Sequence, residues 1–199
     1  MKKFALLLIL SVAAVITVCA QEWRGAFVRG KVLHNVNFGM KVLVLPHFGL
    51  SDEWCVASGF YKSGRGSLGV GLYAGAGFPK VGLPSMVSIC SRVTLHNHLG
   101  RRVDFYIGML NGLNMLNVLQ ESLDQARGTA GTTLGFKEGW NPYYGFDFYM
   151  GWRWAFTENF GMNLELAPLP WPLFSQPVVS VGISWMTGTS RAKKSQPEV

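Results

Sequence analysis

Residues 143–156 read Tyr-Tyr-Gly-Phe-Asp-Phe-Tyr-Met-Gly-Trp-Arg-Trp-Ala-Phe, and this stretch decides the fold class of the chain. Every even position is large and apolar or aromatic, while the odd positions include glycines, Asp147 and Arg153. A period of two is that of a β-strand, in which alternate side chains point to opposite faces. Water disfavours a row of aromatic groups, and a packed core rejects Asp and Arg unless they are paired. One face therefore meets lipid or protein, and the other face is polar.

The length of this stretch matches the thickness of an outer membrane. Tyr144 and Trp154 are ten residues apart. At about 3.3 Å per residue and a tilt near 40°, they are separated by roughly 25 Å, which is the height of the apolar band between the aromatic girdles of a transmembrane barrel. The pattern therefore predicts a strand that crosses a membrane.

The N-terminal segment has the features of an export signal. Two lysines precede an apolar run at 4–18, and the small residue Ala20 follows it. The run is shorter than the roughly 20 residues that a spanning helix needs. We therefore predict a cleaved signal peptide over residues 1–20. The alternative is a lipoprotein acylated at Cys19, although Val18 stands where such signals usually have a small residue.

Composition favours a barrel over other membrane or nucleic-acid-binding classes. The chain has 24 glycines, 15% charged residues and 49% apolar residues, without a second long apolar block. Transmembrane barrels hide their hydrophobicity in alternate positions, which produces this combination. The formal charge is +7, but Lys and Arg are scattered and do not interleave with aromatic residues, so we expect no nucleic-acid partner.

Eight segments after the signal show strand alternation. They are residues 36–45, 53–61, 67–77, 86–96, 101–110, 143–156, 162–166 and 178–186. The connections after even-numbered strands are tight and the others are long, as in outer-membrane barrels with periplasmic turns and external loops. We predict an all-β, antiparallel up-and-down transmembrane barrel of about eight strands over 21–187, followed by a polar tail at 188–199. A further strand at 23–32 would raise the count to nine or, with another missed strand, to ten.

The longest predicted connection is residues 111–141. Within it, Leu113, Leu116, Leu119 and Leu123 recur at near-helical spacing. This spacing predicts one amphipathic helix inside the connection.

If the apolar faces meet lipid, the opposite faces line the lumen. The predicted lumen charges are Lys41, Arg92, Arg102, Asp104, Asp147, Arg153 and Glu165. Eight strands leave an interior just wide enough for side chains, so these charges must pair. Counting from the predicted turns sets Arg153 opposite Glu165 and Arg92 opposite Asp104. We interpret the pairs as a plug that closes the barrel, in preference to a gate whose pairs exchange.

The sequence shows no catalytic, cofactor or metal signature. None of the four histidines, His34, His47, His96 and His98, has a Ser or Asp at a spacing that suggests a catalytic triad. His96 and His98 flank a predicted turn and are expected to be solvated. We therefore predict that the protein is not an enzyme and needs no cofactor. Cys55 and Cys90 either form one disulfide or are two inert thiols.

With the export signal, eight alternating strands, aromatic girdles and alternating connection lengths, the mature chain resembles the small bacterial outer-membrane β-barrels typified by OmpX, OmpA and OmpW. The resemblance is architectural. It implies a location in the bacterial outer membrane, with membrane lipid and the barrel-assembly machinery as partners. It also implies a narrow channel for small or apolar solutes, or a surface-exposed structural or adhesive protein that binds a host surface ligand.

Two other functional classes are alternatives. A soluble, exported, lipocalin-like barrel would bind a hydrophobic ligand, but it needs an apolar interior and a polar exterior. An outer-membrane enzyme that modifies lipid would place His, Ser and an acidic residue near the membrane edge.

Overall fold

The computed structural model describes residues 27–40, 46–60, 65–78, 85–100, 102–120, 124, 137–167 and 177–188. Their strands are β1 (Val32–Met40), β2 (His47–Phe60), β3 (Gly66–Gly77), β4 (Ser85–His98), β5 (Val103–Val118), β6 (Gly139–Ala155), β7 (Phe160–Leu166) and β8 (Val179–Thr187). Each strand pairs antiparallel with its neighbour in sequence, and β8 pairs with β1, so the sheet closes into a barrel. The predicted up-and-down barrel of eight strands is confirmed. No helix among the described residues is long and apolar enough to cross a membrane.

The barrel carries apolar side chains outside and polar ones inside. Large apolar groups are exposed on every strand, for example Phe38, Leu50, Leu72, Ile89, Ile107, Phe148, Met162 and Val181. In β6 the exposed Phe146 and Phe148 alternate with the buried Asp147 and Tyr149. This polarity is the reverse of the one that a lipocalin-like barrel requires.

Short and long connections lie at opposite ends of the barrel. The connections at 61–65, 99–102 and 156–159 are short, and β1 begins and β8 ends on the same side as these turns. We call this side the turn end. The connections at 41–46, 78–84, 119–138 and 167–178 are longer and lie at the other side, which we call the loop end. The alternation agrees with the sequence-based expectation.

The predicted connection at 111–141 is too long at both ends. Leu113 and Leu116 belong to β5 and are therefore not part of a helix, whereas Gln120 and Asp124, which follow β5, are helical. Residues 111–118 alternate instead between the two faces, with Asn114 and Leu116 inside, and residues 111–117 pair with both β4 and β6. Pairing on both sides satisfies the backbone groups of this segment and outweighs the leucine spacing. Leu123 lies outside the described residues.

The predicted register of β6 and β7 is wrong by two residues. Trp154 lies opposite Met162, and Arg153 therefore faces Asn163 while Glu165 faces Gly151. The turn is set by Thr157, whose Oγ1 accepts hydrogen bonds from the backbone N–H of Phe160 at 2.9 Å and of Asn159 at 3.4 Å. This side-chain bond fixes a turn at 156–159.

The predicted pair of Arg92 and Asp104 is also wrong. Arg92 lies opposite Leu110, and Asp104 lies opposite His98. The sequence placed the turn at 97–100, but β4 continues through His98, and the Leu99 N–H donates to the Val103 carbonyl at 3.0 Å. The extra pairing at the end of β4 moves every later residue of β5 along its partner.

The two cysteines of the barrel do not form a disulfide. Cys55 lies opposite Gly69, and Cys90 lies opposite Tyr73. Cys55 packs near Phe27 at the turn end, whereas Cys90 belongs to a different cluster that contains Tyr73. The interpretation of both residues as buried thiols is the correct one.

Candidate functional site

A charged network crosses the lumen, with Arg92 of β4 at its centre. Its Nε donates to Glu53 Oε1 of β2 at 2.6 Å, and its Nη2 donates to Glu165 Oε1 of β7 at 2.5 Å. All three side chains have no exposed surface. Because β2, β4 and β7 are not neighbours in the closed sheet, these bonds connect its walls across the interior.

Glu165 is the acceptor that joins the largest number of strands. The Tyr106 hydroxyl of β5 donates to Oε1 at 3.0 Å, and the Asn37 amide of β1 donates to Oε2 at 3.2 Å. The Asn163 amide of β7 in turn donates to Asn37 Oδ1 at 2.7 Å. A buried carboxylate is stable only when such donors replace the water that it has lost.

His96 extends the network toward the turn end. Its Nδ1 lies 2.7 Å from Asp104 Oδ2, and its Nε2 lies 3.2 Å from Glu53 Oε2. An ionised carboxylate only accepts hydrogen bonds, so the ring satisfies both neighbours as an imidazolium that donates from each nitrogen. The expected solvation of His96 is wrong, since the residue is fully buried. The reason is the continuation of β4 beyond it.

The structure separates the predicted lumen charges into several environments. Arg92 and Glu165 are in direct contact, and Asp104 joins them through His96 and Glu53. Arg153 is buried, and its Nε donates to Ser184 Oγ of β8 at 2.9 Å. Asp147 is also buried and lies closer to the loop end than Arg153 does. Arg102 lies just before β5 at the turn end, and Lys41 lies outside the described residues.

Glu53 and His96 are members of the network that sequence reasoning missed. The alternation of inward and outward residues along β2 and β4 already indicated that both side chains face the lumen. Glu53 has the opposite parity to the outward Trp54, and His96 has the same parity as Arg92. Their parity placed them inside, but only the register shows that they meet.

Three lumen tyrosines occupy space that glycines leave free. Tyr106 lies opposite Gly151, and Tyr149 lies opposite Gly108. A Cβ at either glycine would come within 2.4 Å of the facing tyrosine ring, and Tyr73 covers Gly49 and Gly75 in the same manner. The tyrosines complete the network, because the Arg92 guanidinium lies 4.2 Å from the centre of the Tyr149 ring in a cation–π contact.

Gly151→Ala should lower the free energy of unfolding by about 1–3 kcal/mol, because the added methyl group overlaps a tyrosine ring that Glu165 holds in place. Urea unfolding of the protein in lipid vesicles measures this difference. Gly100→Ala is the matched control, since a Cβ there has no atom within 4 Å. Equal stability of the two variants would show that Tyr106 can move aside.

Apolar layers close the network at both ends. At the turn end, Phe27 is fully buried and packs with Leu33, Cys55 and Met186. Its ring centre lies 4.7 Å from that of His96. At the loop end, Met86, Leu116 and Val118 form another buried cluster, against which Tyr143 packs. Exclusion of water strengthens the ionic contacts between these layers.

The carboxylates of the network are paired with cationic side chains. Within the described ranges, no group of three or more His, Cys, Asp and Glu side chains is placed to hold a metal ion. The carboxylates accept instead from Arg92 and His96.

The eight antiparallel strands form a closed barrel with an apolar exterior and a charged interior. The chain has the architecture of a small outer-membrane β-barrel. Among similar solved structures of such barrels, the N-terminal β-barrel domain of Pseudomonas aeruginosa OprF is 12% identical, with a TM-score of 0.45 over 80% of this chain and 98% of that chain. OprG from the same organism is 9% identical, with a TM-score of 0.43 over 84% and 100% of the two chains.

The Ail protein of Yersinia pestis is 11% identical to this barrel, with a TM-score of 0.41 over 80% of this chain and 100% of that chain. At such identities the likeness concerns the fold alone. No family model and no curated protein matches the sequence.

Proposed function

We propose that this protein is an integral outer-membrane barrel whose lumen is closed, and that it acts as a surface-exposed structural or adhesive protein rather than as an open channel. The observation that carries this proposal is the fully buried contact of Arg92 with Glu53 and Glu165 across the lumen. Export by a cleaved signal peptide and insertion by the barrel-assembly machinery belong to the same proposal.

Membrane placement is supported by the exterior. Each strand exposes at least one large apolar side chain, and Phe146 and Phe148 stand in a row on β6. Water would disfavour this surface, whereas the hydrocarbon of a bilayer accepts it. The buried charges also support membrane placement, because a barrel whose outer face contacts lipid has its polar groups in the interior.

A closed lumen is supported by the cost of opening it. An eight-stranded barrel has an interior that side chains fill. A solute passing Arg92 would have to separate it from Glu53 and Glu165, and breaking a buried ion pair costs several kcal/mol. The network therefore favours the plug over the gate.

Surface contact is supported by unequal strand lengths. The strands β5 and β6 have 16 and 17 residues, whereas β1 has nine. At about 3.3 Å per residue and a tilt near 40°, β6 spans roughly 40 Å, which exceeds the roughly 25 Å apolar band. The β5–β6 hairpin therefore projects beyond the membrane at the loop end. We assign contacts with a surface ligand to this hairpin and the longer connections.

Conductance in planar lipid bilayers tests the closed lumen. We expect the inserted parent protein to leave the membrane at its baseline conductance, because Arg92 and its carboxylates occupy the interior. The matched control replaces Arg92, Glu53 and Glu165 together by alanine, which removes their bulk and strands no charge. A steady current through the parent protein, equal to that of the triple variant, would contradict the proposal.

A further inference from the structure

Three polar side chains meet on the outer face at the turn end, away from the lumen network. The His34 Nε2 of β1 lies 2.8 Å from Thr187 Oγ1 of β8, and the His34 Nδ1 lies 2.6 Å from Asp52 Oδ1 of β2. The Trp185 ring stacks on the imidazole with ring centres 5.3 Å apart. A hydroxyl, an imidazole and a carboxylate in this order are the arrangement of a nucleophile, its base and the group that orients the base.

Ionisable groups are unusual on this outer face. Among the outward side chains of the described strands, His34 is the one histidine and Asp52 is the one carboxylate. The rest of this surface is dominated by apolar groups. The Asp52 side chain is 55% exposed, and that of His34 is 23% exposed. Ionisable groups that face lipid destabilise a barrel, and they are retained mainly where they serve a function. The lumen network does not explain them.

The depth of the three groups indicates a substrate. Trp54 and Trp185 lie on the same outer face, and tryptophans mark the boundary between headgroups and hydrocarbon. Asp52 is two residues farther from the turn end than Trp54, which places it about 5 Å deeper. The esters that join acyl chains to a phospholipid headgroup lie at this boundary. An ester carbonyl can therefore reach Thr187, which ends β8.

We propose that Thr187, His34 and Asp52 hydrolyse an acyl ester of a membrane phospholipid. Thr187 Oγ1 attacks the carbonyl carbon while His34 Nε2 takes the hydroxyl proton. The bond from that carbon to the glycerol oxygen then breaks, and His34 returns the proton to this oxygen, which releases a lysophospholipid. Water attacks the acyl ester of Thr187 with His34 as base, releases a fatty acid and restores the threonine hydroxyl.

Asp52 is a positioning residue in this reaction. By accepting the Nδ1 proton of His34, it leaves Nε2 free to accept the proton of Thr187. It also stabilises the imidazolium that forms when His34 takes that proton. This activity goes beyond the proposed surface role, and it rests on that proposal for the placement of the site at a membrane boundary.

The test measures fatty acid released from phosphatidylethanolamine in mixed detergent micelles that contain the purified barrel. We expect release by the parent protein and a fall to the protein-free rate in Thr187→Val and in His34→Gln. Thr187→Ser keeps a hydroxyl and should remain active. Asp52→Asn should lower kcat at least about 100-fold with little change in KM, and Asp52→Glu should recover part of the loss. Ser91→Ala is the matched control, because it removes another outward hydroxyl.

The heat-dependent shift in gel mobility, which reports a folded barrel, is recorded for each variant. Fatty acid release by folded Thr187→Val at the parent rate would overturn the proposed site. Absence of release from a folded parent in these micelles would overturn it as well, and would leave the membrane assignment intact. If Thr187→Val fails to fold, His34→Gln decides by the same criterion. A parent protein that stays soluble without detergent would instead overturn the proposed function.

Discussion

Arg92→Met should lower the free energy of unfolding by about 3–5 kcal/mol, the largest effect that we expect from one substitution in this barrel. The change preserves much of the side-chain volume but removes the charge that faces both Glu53 and Glu165. The two carboxylates then lie in a water-excluded interior without their main donor. Urea titration of the protein folded in lipid vesicles, followed by tryptophan fluorescence, measures the loss.

The triple variant Arg92→Met, Glu53→Gln, Glu165→Gln separates loss of charge balance from loss of packing. It leaves no carboxylate stranded, so we expect it to be markedly more stable than Arg92→Met. The single amide oxygen of Glu165→Gln can still accept from Tyr106, which donates to Oε1 in the parent, whereas the Asn37 amide loses Oε2 as an acceptor. Stability of Arg92→Met equal to that of the parent, or a triple variant less stable than the single one, would contradict this role of Arg92.

The alternation along each strand could be read from the sequence, because the pleat alone determines which face a residue takes. The parity of Arg92, Asp104 and Glu165 places them inside without knowledge of any partner. The register could not be read in the same way. It depends on where each turn closes, and this is set by the Thr157 side chain in one hairpin and by continued pairing through His98 in another.

Contacts between residues far apart along the chain could not be predicted from the sequence for a related reason. Asp52 and Thr187 are 18 and 153 residues from His34, and no motif joins such positions. Pairing of β1 with β2 brings Asp52 to His34, and closure of β8 onto β1 brings Thr187 to the other ring nitrogen. No histidine has Ser or Asp at a triad-like spacing in the sequence because the neighbours of His34 are far from it along the chain, and closure of the sheet brings them together.

Phe148→Arg should lower the free energy of unfolding in lipid vesicles by about 2–4 kcal/mol, because an arginine near the bilayer midplane destabilises a transmembrane barrel by this amount. Phe148 is half exposed on the outer face, between the girdle residues Tyr144 and Trp154 of the same strand. Phe148→Leu is the matched control, since it reduces volume but keeps the surface apolar, and we expect a smaller loss.

The depth dependence of this effect distinguishes lipid from a protein partner or from water. The cost of an outward arginine falls toward the membrane interfaces, where its side chain reaches headgroups and water. Phe160→Arg, at the turn end of β7, should therefore cost less than Phe148→Arg although both phenylalanines are outward and similarly exposed. A soluble barrel has no such gradient, because both arginines would be hydrated. Equal costs at the two positions, or a Phe148→Arg variant as stable as Phe148→Leu, would place this surface outside the bilayer.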